Sequence, residues 1–324
     1  MSLKIIILGS SSATPTSNLF PTAQWLEIGN KRFLIDCGEG TQMQIRKNKL
    51  SFARLDAIFI SHAHGDHCFG LLGLLSSLDL MKRQKELFLF APPQIVELVD
   101  FFFYRHSEQP FSYLLHRIPV KMGEKYLLHS TAFANVYTFP LKHTIDCQGF
   151  VFEEVFPLKN VNPIKIKEYR IPACDIPNIK KGFDWSSDEG HTIPNEELTL
   201  PLPRALRYAY CTDTIYLENL SELAGSADIL YHEATYSSSE SAIAPLTGHS
   251  TAVEAAKAAL QIGAKYLLIG HLSVRYKDSS QLVNEARQIF PNTYFARQNS
   301  RFILDRKLMN LLIEDPKETV HAQS

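Results

Sequence analysis

The chain has 324 residues, 45% of them hydrophobic and 21% charged, with a formal net charge of −1 at pH 7. That length buries a sizeable core in one large domain or two ordinary ones, and the near-neutral charge leaves any polyanionic partner to a local basic patch. The cysteines at 37, 68, 147, 174 and 211 include no CxxC pair, which argues against a thiolate zinc site or a disulfide framework and for the reducing cytoplasm, and no run approaches the ~18 apolar residues of a membrane span.

The opening MSLKIIILGSSS has too short an apolar run for a secretion signal and reads as a first strand over 4–8. Further β-branched runs predict strands at 32–36, 55–60, 86–91, 133–139, 149–155, 207–212, 227–232, 265–270 and 293–296. Helical periodicity predicts helices over 67–83, 93–104, 249–262 and 278–289. In the helix over 249–262, Ser250 is expected to cap and Glu254 lies in the first turn. Strands with helices interspersed predict a layered α/β protein with its sheets inside. Residues 157–203 are proline-rich with few apolar runs, and a structureless stretch of that length in a compact domain is functional or mobile. Within it, 157–183 carries Lys159, Lys165, Lys167, Arg170, Lys180 and Lys181 against Glu168 and Asp175, a local excess of +4. Residues 306–324 turn polar after LLIE and are expected to be a frayed tail.

Metal-ligating residue types gather where these strands stop. The run over 55–60 leads into SHAHGDHCFG (61–70), which places His62, His64, Asp66 and His67 within six positions. The run from 133 leads into His143, RYAYCT into Asp213 and KYLLIG into His271. Loops just past strand ends let a rigid sheet converge side chains from distant sequence. Five histidines and two aspartates are the right supply for two metals sharing a carboxylate. Nitrogen and carboxylate ligands without thiolate suit Zn²⁺, with Mn²⁺ or Fe²⁺ as alternatives. His106, His116, His129, His191 and His321 have no such placement.

HAHGDH matches the His-x-His-x-Asp-His signature of the metallo-β-lactamase superfamily, and several stretches resemble its ribonuclease Z branch, the tRNA 3′-processing endonucleases. They are LGSSSATPT (8–16), FLIDCGEGTQMQI (33–45), HEATY (232–236), GHSTA (248–252) and HLSVRY (271–276), in the family's order. The resemblance covers 1–150 and 205–305. It implies an αββα sandwich, two facing mixed sheets with helices outside, formed by residues 1–305 as one catalytic domain with 157–203 inserted. It also implies two Zn²⁺ per chain. His62, His64 and His143 would bind one, Asp66, His67 and His271 the other, Asp213 would bridge, and Asp36 would support the site from behind. The inserted segment lacks the glycine-proline core of the family's tRNA-gripping arm, and the aspartate motif reads CTDT where the family has Ser-Gly-Asp-Thr.

The expected reaction is removal of 3′ trailers from precursor tRNA by a metal-activated hydroxide, leaving a tRNA 3′-OH. Asp66 would orient the hydroxide, His249 would protonate the leaving oxygen, Glu233 would hold His249, and Arg275 would neutralise charge on the phosphate. Lys82 and Arg83 in MKRQK, with Lys165, Lys167, Arg170, Lys180 and Lys181, are the expected phosphate contacts. The apolar helix over 67–80 suggests a homodimer. Two other classes share parts of the pattern: a phosphodiesterase of the same fold acting on small or cyclic nucleotides, and a non-catalytic metal-containing RNA-binding protein.

Overall fold

The structure, a computed structural model, describes residues 2–316 apart from 14, 17, 188, 274 and 277. Strands β1 (Ser2–Gly9), β2 (Ala23–Ile28), β3 (Lys31–Ile35), β4 (Ala57–Phe59), β5 (Leu87–Ala91) and β6 (Leu115–Pro119) lie side by side. They pair antiparallel up to β3 and parallel from β3 onward. Helices α1 (Thr41–Lys47), α2 (Gly65–Cys68), α3 (Leu71–Leu80) and α4 (Pro93–Val99) occupy the crossovers. An antiparallel meander of β7 (Tyr126–Ser130), β8 (Ala134–Lys142) and β9 (Asp146–Glu154) then starts a second sheet.

The inserted segment folds into small elements of its own: β10 (Asn160–Val161), α5 (Pro163–Glu168), α6 (Ile176–Lys180), β11 (Trp185–Ser186), β12 (Thr192–Ile193), α7 (Asn195–Leu198) and β13 (Thr199–Leu200). The chain then returns as β14 (Arg207–Cys211) beside β9, followed by α8 (Leu220–Ala224), β15 (Ile229–Glu233), α9 (Ala252–Gln261), β16 (Tyr266–Gly270), α10 (Ser280–Arg287) and β17 (Thr293–Phe295), the strands of this run parallel. Finally β18 (Arg301–Asp305) and β19 (Leu311–Glu314) rejoin the first sheet, β18 against β1. The sheets have eight strands (β19-β18-β1-β2-β3-β4-β5-β6) and seven (β17-β16-β15-β14-β9-β8-β7).

Alternation along each strand explains the layering. In β1, Ile5 and Ile7 face the other sheet while Ile6 and Leu8 face helices. Because helices cover the outer faces, both sides of a strand are buried and the sequence reads as an unbroken apolar run. An aromatic layer joins the sheets: Phe59 stacks on Phe90 at 4.9 Å and meets Phe152 edge-on at 5.3 Å. The second sheet packs its outer face on the alanine-rich side of α9. This is the αββα sandwich expected from the sequence.

Several local expectations change. The helix expected over 67–83 is broken at Gly70, whose N–H bonds to Cys37 O at 2.9 Å and where a Cβ would meet Gly38 O at 2.1 Å. Only glycine permits that approach, which seats α2 against the end of β3. The helix expected over 93–104 is α4 continued by a π turn over Asp100–Tyr104. Helix α9 is capped by Thr251 in a capping box with Glu254, while Ser250 donates to Thr214 O at 2.7 Å instead. Of the expected frayed tail, residues 311–314 form an edge strand whose Leu311 and Ile313 pack on the inter-sheet core; 317–324 lie outside the described residues.

The proline-rich segment is not structureless. Ile171, Ile179 and Leu198 form its own small core, flanked by Tyr169 and Trp185. Its hydrogen bonds close on itself, as in Lys159 N to Lys180 O and Asn162 N to Leu198 O. Six cations in 157–203 face seven acids, so the +4 of its first part is compensated within the same folded unit. Lys165 bonds to both Glu168 and Glu197.

Arg83 requires correction as a phosphate contact. It is only 6% exposed, and its guanidinium donates to the carbonyls of Phe52, Leu55, Lys85 and Glu86 at 2.6–2.9 Å. It ties the turn after α3 to the loop before β4. Arg83→Ala would leave four carbonyls short of a donor, that of Leu55 buried, at about 1.5–3 kcal/mol for a charge-assisted bond with partial compensation by water. We expect a loss of roughly 3 kcal/mol in urea unfolding, with RNA affinity unchanged once the protein is folded. A stable variant with weakened RNA binding would contradict this assignment.

Candidate metal centre

The parallel strands of both sheets end at one edge of the sandwich, where loops carry ligands in open α/β folds. Strand β4 delivers the His62–His67 loop, β14 delivers Asp213, β16 delivers His271, and antiparallel β8 delivers His143. Two of the positioning residues are backbone exceptions. Asp36 at the end of β3 has φ +57° and His271 at the end of β16 has φ +59°, a conformation that costs a non-glycine residue free energy and persists where its surroundings over-determine it. In both cases the turn aims the side chain into the site.

Four of the five imidazoles are oriented from behind. His67 Nδ1 donates to Asp36 Oδ2 at 2.8 Å, and His143 Nδ1 donates to Gly248 O at 2.8 Å. Ser61 Oγ donates to Asp36 Oδ2 at 3.0 Å and so accepts from His62 Nδ1 at 3.0 Å. His271 Nδ1 contacts Thr235 Oγ1 at 3.1 Å. These bonds consume the ring N–H groups and leave bare Nε2 lone pairs pointing inward. His64 turns its Nδ1 to the same point, 3.1 Å from His62 Nε2 and 3.2 Å from His143 Nε2.

The donor spacing tests whether metal fits. Ligand atoms around a tetrahedral ion with ~2.0–2.1 Å bonds lie about 3.3–3.4 Å apart. Asp213 Oδ2 is 3.7 Å from both His62 Nε2 and His143 Nε2. Asp213 Oδ1 is 3.5 Å from His67 Nε2 and 3.4 Å from His271 Nε2, while Asp66 Oδ2 is 3.6 and 3.4 Å from the same two nitrogens. Two donor sets therefore meet at one carboxylate, each with tetrahedron-like edges. His67 Nε2 is buried with no hydrogen-bond partner, as a ligand atom would be. The set His62, His64, His143 and Asp213, and the set Asp66, His67 and His271, can each hold an ion; Asp213, His249 and His271 form a third, overlapping group.

Electrostatics separate the histidines. Burial pushes His62 and His143 below their usual pKa, keeping them neutral as ligands must be. At His67 burial pushes the same way, but Asp213, Asp36 and Asp66 outweigh it and hold the pKa up to about 10, so the three carboxylates call for positive charge here. At His249 burial is outweighed by the bond to Glu233, and its pKa is raised. His249 Nδ1 lies 2.9 Å from Glu233 Oε1. Glu233 is fully buried and accepts as well from the N–H groups of Thr214, Thr235 and Ser250 at 2.8–3.2 Å.

These groups line a cavity of about 690 Å³. His64, Asp66, His143, Asp213, His249 and His271 reach it, and its described lining contains no Lys or Arg. Arg275 in particular does not line it. Its guanidinium bonds Glu240 Oε1 at 2.8 Å and lies 5.1 Å over the Tyr236 ring, so its contacts support Tyr236 rather than a phosphate. Lys82 is exposed, as are Lys167, Arg170 and Lys181, while Lys180 is half-buried; none of these belongs to the cavity lining.

Sequence reasoning missed three supports. Thr235 places Oγ1 within 3.3 Å of His249 Nδ1 and at 3.1 Å from His271 Nδ1, and it sits inside HEATY. Gly248 (φ +74°) offers its carbonyl to His143, and a Cβ there would meet His143 Nδ1 at 2.7 Å. Tyr210, on the second sheet, donates to Asp36 Oδ2 at 2.7 Å. The first two adjoin quoted motifs; the third had no local signal.

Comparison with known proteins adds the following. The profile of a family described as "Anti-Pycsar protein Apyc1" matches residues 3–154. A ribonuclease Z of Bacteroides thetaiotaomicron is 43% identical over 297 residues, covering 90% of this chain and 92% of the relative. That of Bacteroides fragilis is 41% identical over 295 residues, covering 90% and 96%. The crystal structure of the short form of human tRNase Z superposes with a TM-score of 0.64 at 24% identity, covering 92% of this chain and 98% of that one.

Proposed function

The chain belongs to the ribonuclease Z family, and on that premise we propose that it is an endoribonuclease that removes 3′ trailers from precursor tRNA, using two Zn²⁺ ions per chain. The observation that carries the zinc pair is Asp213, whose two oxygens face two separate donor sets. In this reading His62, His64, His143 and Asp213 would hold one ion, and Asp66, His67 and His271 with Asp213 the other. When bound, such a pair polarises a phosphoryl oxygen and lowers the pKa of water towards ~7.

The chain's own groups do the rest. Asp66, fixed by a bond from Ala13 N at 2.8 Å, accepts a hydrogen bond from the attacking water and orients it. The water, having lost one proton to solvent, attacks phosphorus through its oxygen, the P–O3′ bond breaks, and the Nε2 proton of His249 passes to O3′. The products are a tRNA 3′-OH and a trailer 5′-phosphate. Glu233, anchored by three backbone N–H groups, keeps His249 Nδ1 occupied and its other nitrogen turned to the cavity. With no Lys or Arg in the described lining, His249, open to the cavity and bonded to Glu233 through Nδ1, is the proton donor in this reading.

The deciding experiment is incubation with a precursor-tRNA transcript. A product shortened at its 3′ end supports the reading. Hydrolysis of bis-p-nitrophenyl phosphate without shortening of the transcript would transfer the assignment to a small-molecule phosphodiesterase.

The exposed cations of the inserted unit serve as the tRNA grip in this proposal. Lys167 and Arg170 flank a shallow hollow with Pro163, Ile164 and Glu168, and Lys181 is exposed nearby in sequence. Replacing Lys167, Arg170 and Lys181 together by alanine should weaken precursor-tRNA binding and flatten its salt dependence, the log–log slope falling by about 0.7–0.9 for each phosphate that no longer meets a cation. Hydrolysis of a small phosphodiester should be unchanged. Equal salt slopes would reduce the unit to a solvated attachment.

A homodimer and a cytoplasmic location belong to the same reading. Helices α1 and α3, joined by Ser77 to Gln42, leave apolar surface in the open: Met43 is 61% exposed, Leu80 78% and Met81 41%. Burying it against a second copy is the simplest use of it, and a two-chain mass by light scattering is the check. All five cysteines are free, and no helix among the described residues is long and apolar enough to cross a membrane.

A further inference from the structure

The active cavity has an unexplained aromatic wall. Among its described lining residues two are aromatic. Tyr236 is only 6% exposed, held beneath Arg275 and beside His249. Phe69 is 70% exposed and packs in none of the hydrophobic clusters. An aromatic ring left in water at a catalytic cavity forgoes the burial free energy its size would bring, so its position calls for a function.

The ring is held in place by the turn that carries the ligands. Phe69 N–H bonds to Gly65 O at 2.9 Å. One side of the ring lies against Gly65, where a Cβ would meet Phe69 Cε2, Cζ and Cδ2 at 2.3–2.7 Å. Gly65 lies between His64 and Asp66, so the ring rests on the backbone between two ligand-bearing residues while its other side is open. Its placement relative to the donor atoms is therefore fixed by α2, not by a mobile loop.

We propose that Phe69 is the stacking platform for a nucleobase flanking the scissile phosphate, and that it positions the RNA strand for cleavage. This rests on the nuclease reading above. Every base offers a π face, so such a platform positions a strand without reading its sequence, and base–aromatic stacking is worth enough to change affinity by about 5- to 100-fold. The described lining offers no basic side chain that could do this through the backbone.

The test combines Phe69→Leu and Phe69→Tyr with precursor transcripts carrying a single abasic nucleotide, scanned across the cut. Phe69→Leu keeps an apolar side chain and removes the π face. It should lower kcat/KM on precursor tRNA by roughly 10- to 100-fold, mostly through KM, with metal content unchanged. Phe69→Tyr should stay within about 3-fold of wild type, because its ring stacks equally well. At one position beside the cut, an abasic residue should penalise the wild type as much as Phe69→Leu does and add nothing to that variant. A Phe69→Leu enzyme equal to wild type, or penalties that multiply at every position, would overturn the stacking role while leaving the nuclease reading intact. Failure of the wild type to cut any precursor would instead overturn both.

Discussion

Replacing Asp213 by alanine is expected to remove turnover on precursor tRNA and to lower metal content from about two ions per chain to one or none. The expectation follows from the division of its carboxylate. Oδ2 completes one donor set and Oδ1 the other, so a single substitution opens both. The remaining imidazoles would then face one another with lone pairs and no shared anion. A loss of roughly 10⁴-fold or more is the scale expected when a catalytic constellation is dismantled rather than trimmed. Chelation of the wild type should have the same effect and be reversed by Zn²⁺. Undiminished cleavage by a preparation shown by elemental analysis to be metal-free would remove the zinc reading altogether.

His249→Ala should behave differently. It removes a histidine whose Nδ1 is committed to Glu233 and which the two main donor sets do not require. Both ions should stay, and kcat on RNA should fall by ~10²–10⁴-fold, the usual worth of general acid–base assistance, with little change in KM. The loss should shrink on a substrate whose leaving group is p-nitrophenolate, which departs without a proton. Phosphate binding, had that been its role, would slow both substrates alike. Because Asp213, His249 and His271 could themselves hold an ion, metal content is decisive. Loss of one zinc in this variant would make His249 a ligand, and equal losses on both substrates would exclude it as the acid.

Much of this site was legible because its ligands follow strands that are buried on both faces. Runs such as LDAIFI and KYLLIG stand out, and a histidine or aspartate just past them is conspicuous. The strands that escaped notice include β2 (AQWLEI), β6 (LHRIP) and β18 (RFILD), where polar residues interrupt the apolar run. β7, YLLHS, is a half-exposed edge strand, and β19, LLIE, is short and flanked by polar residues. The inserted unit defeated a local reading because its order comes from contacts distant in sequence, such as Asn195 with the carbonyls of Ile179 and Phe183. Arg83 misled for a related reason. Within MKRQK it is one cation among several, and only the folded turn reveals four carbonyls converging on it. Tyr210 lies outside any motif, and its bond to Asp36 exists only once the two sheets face each other.

The order in which the sheets are stitched governs when the protein can work at all. The first strand finds one of its two neighbours, β18, only after residue 302 has been made, through pairings such as Ile5 with Phe302. His271 arrives nearly as late. A nascent chain on the ribosome therefore carries the HAHGDH loop long before it has the second half of either donor set, and contacts of such long sequence separation form slowly. Ribosome-bound fragments ending before residue 271 lack a member of the Asp66, His67 and His271 set, so the centre stays incomplete until that residue has been made. Cleavage that needs both donor sets becomes possible only after residue 271 has been made and β16 has joined its sheet.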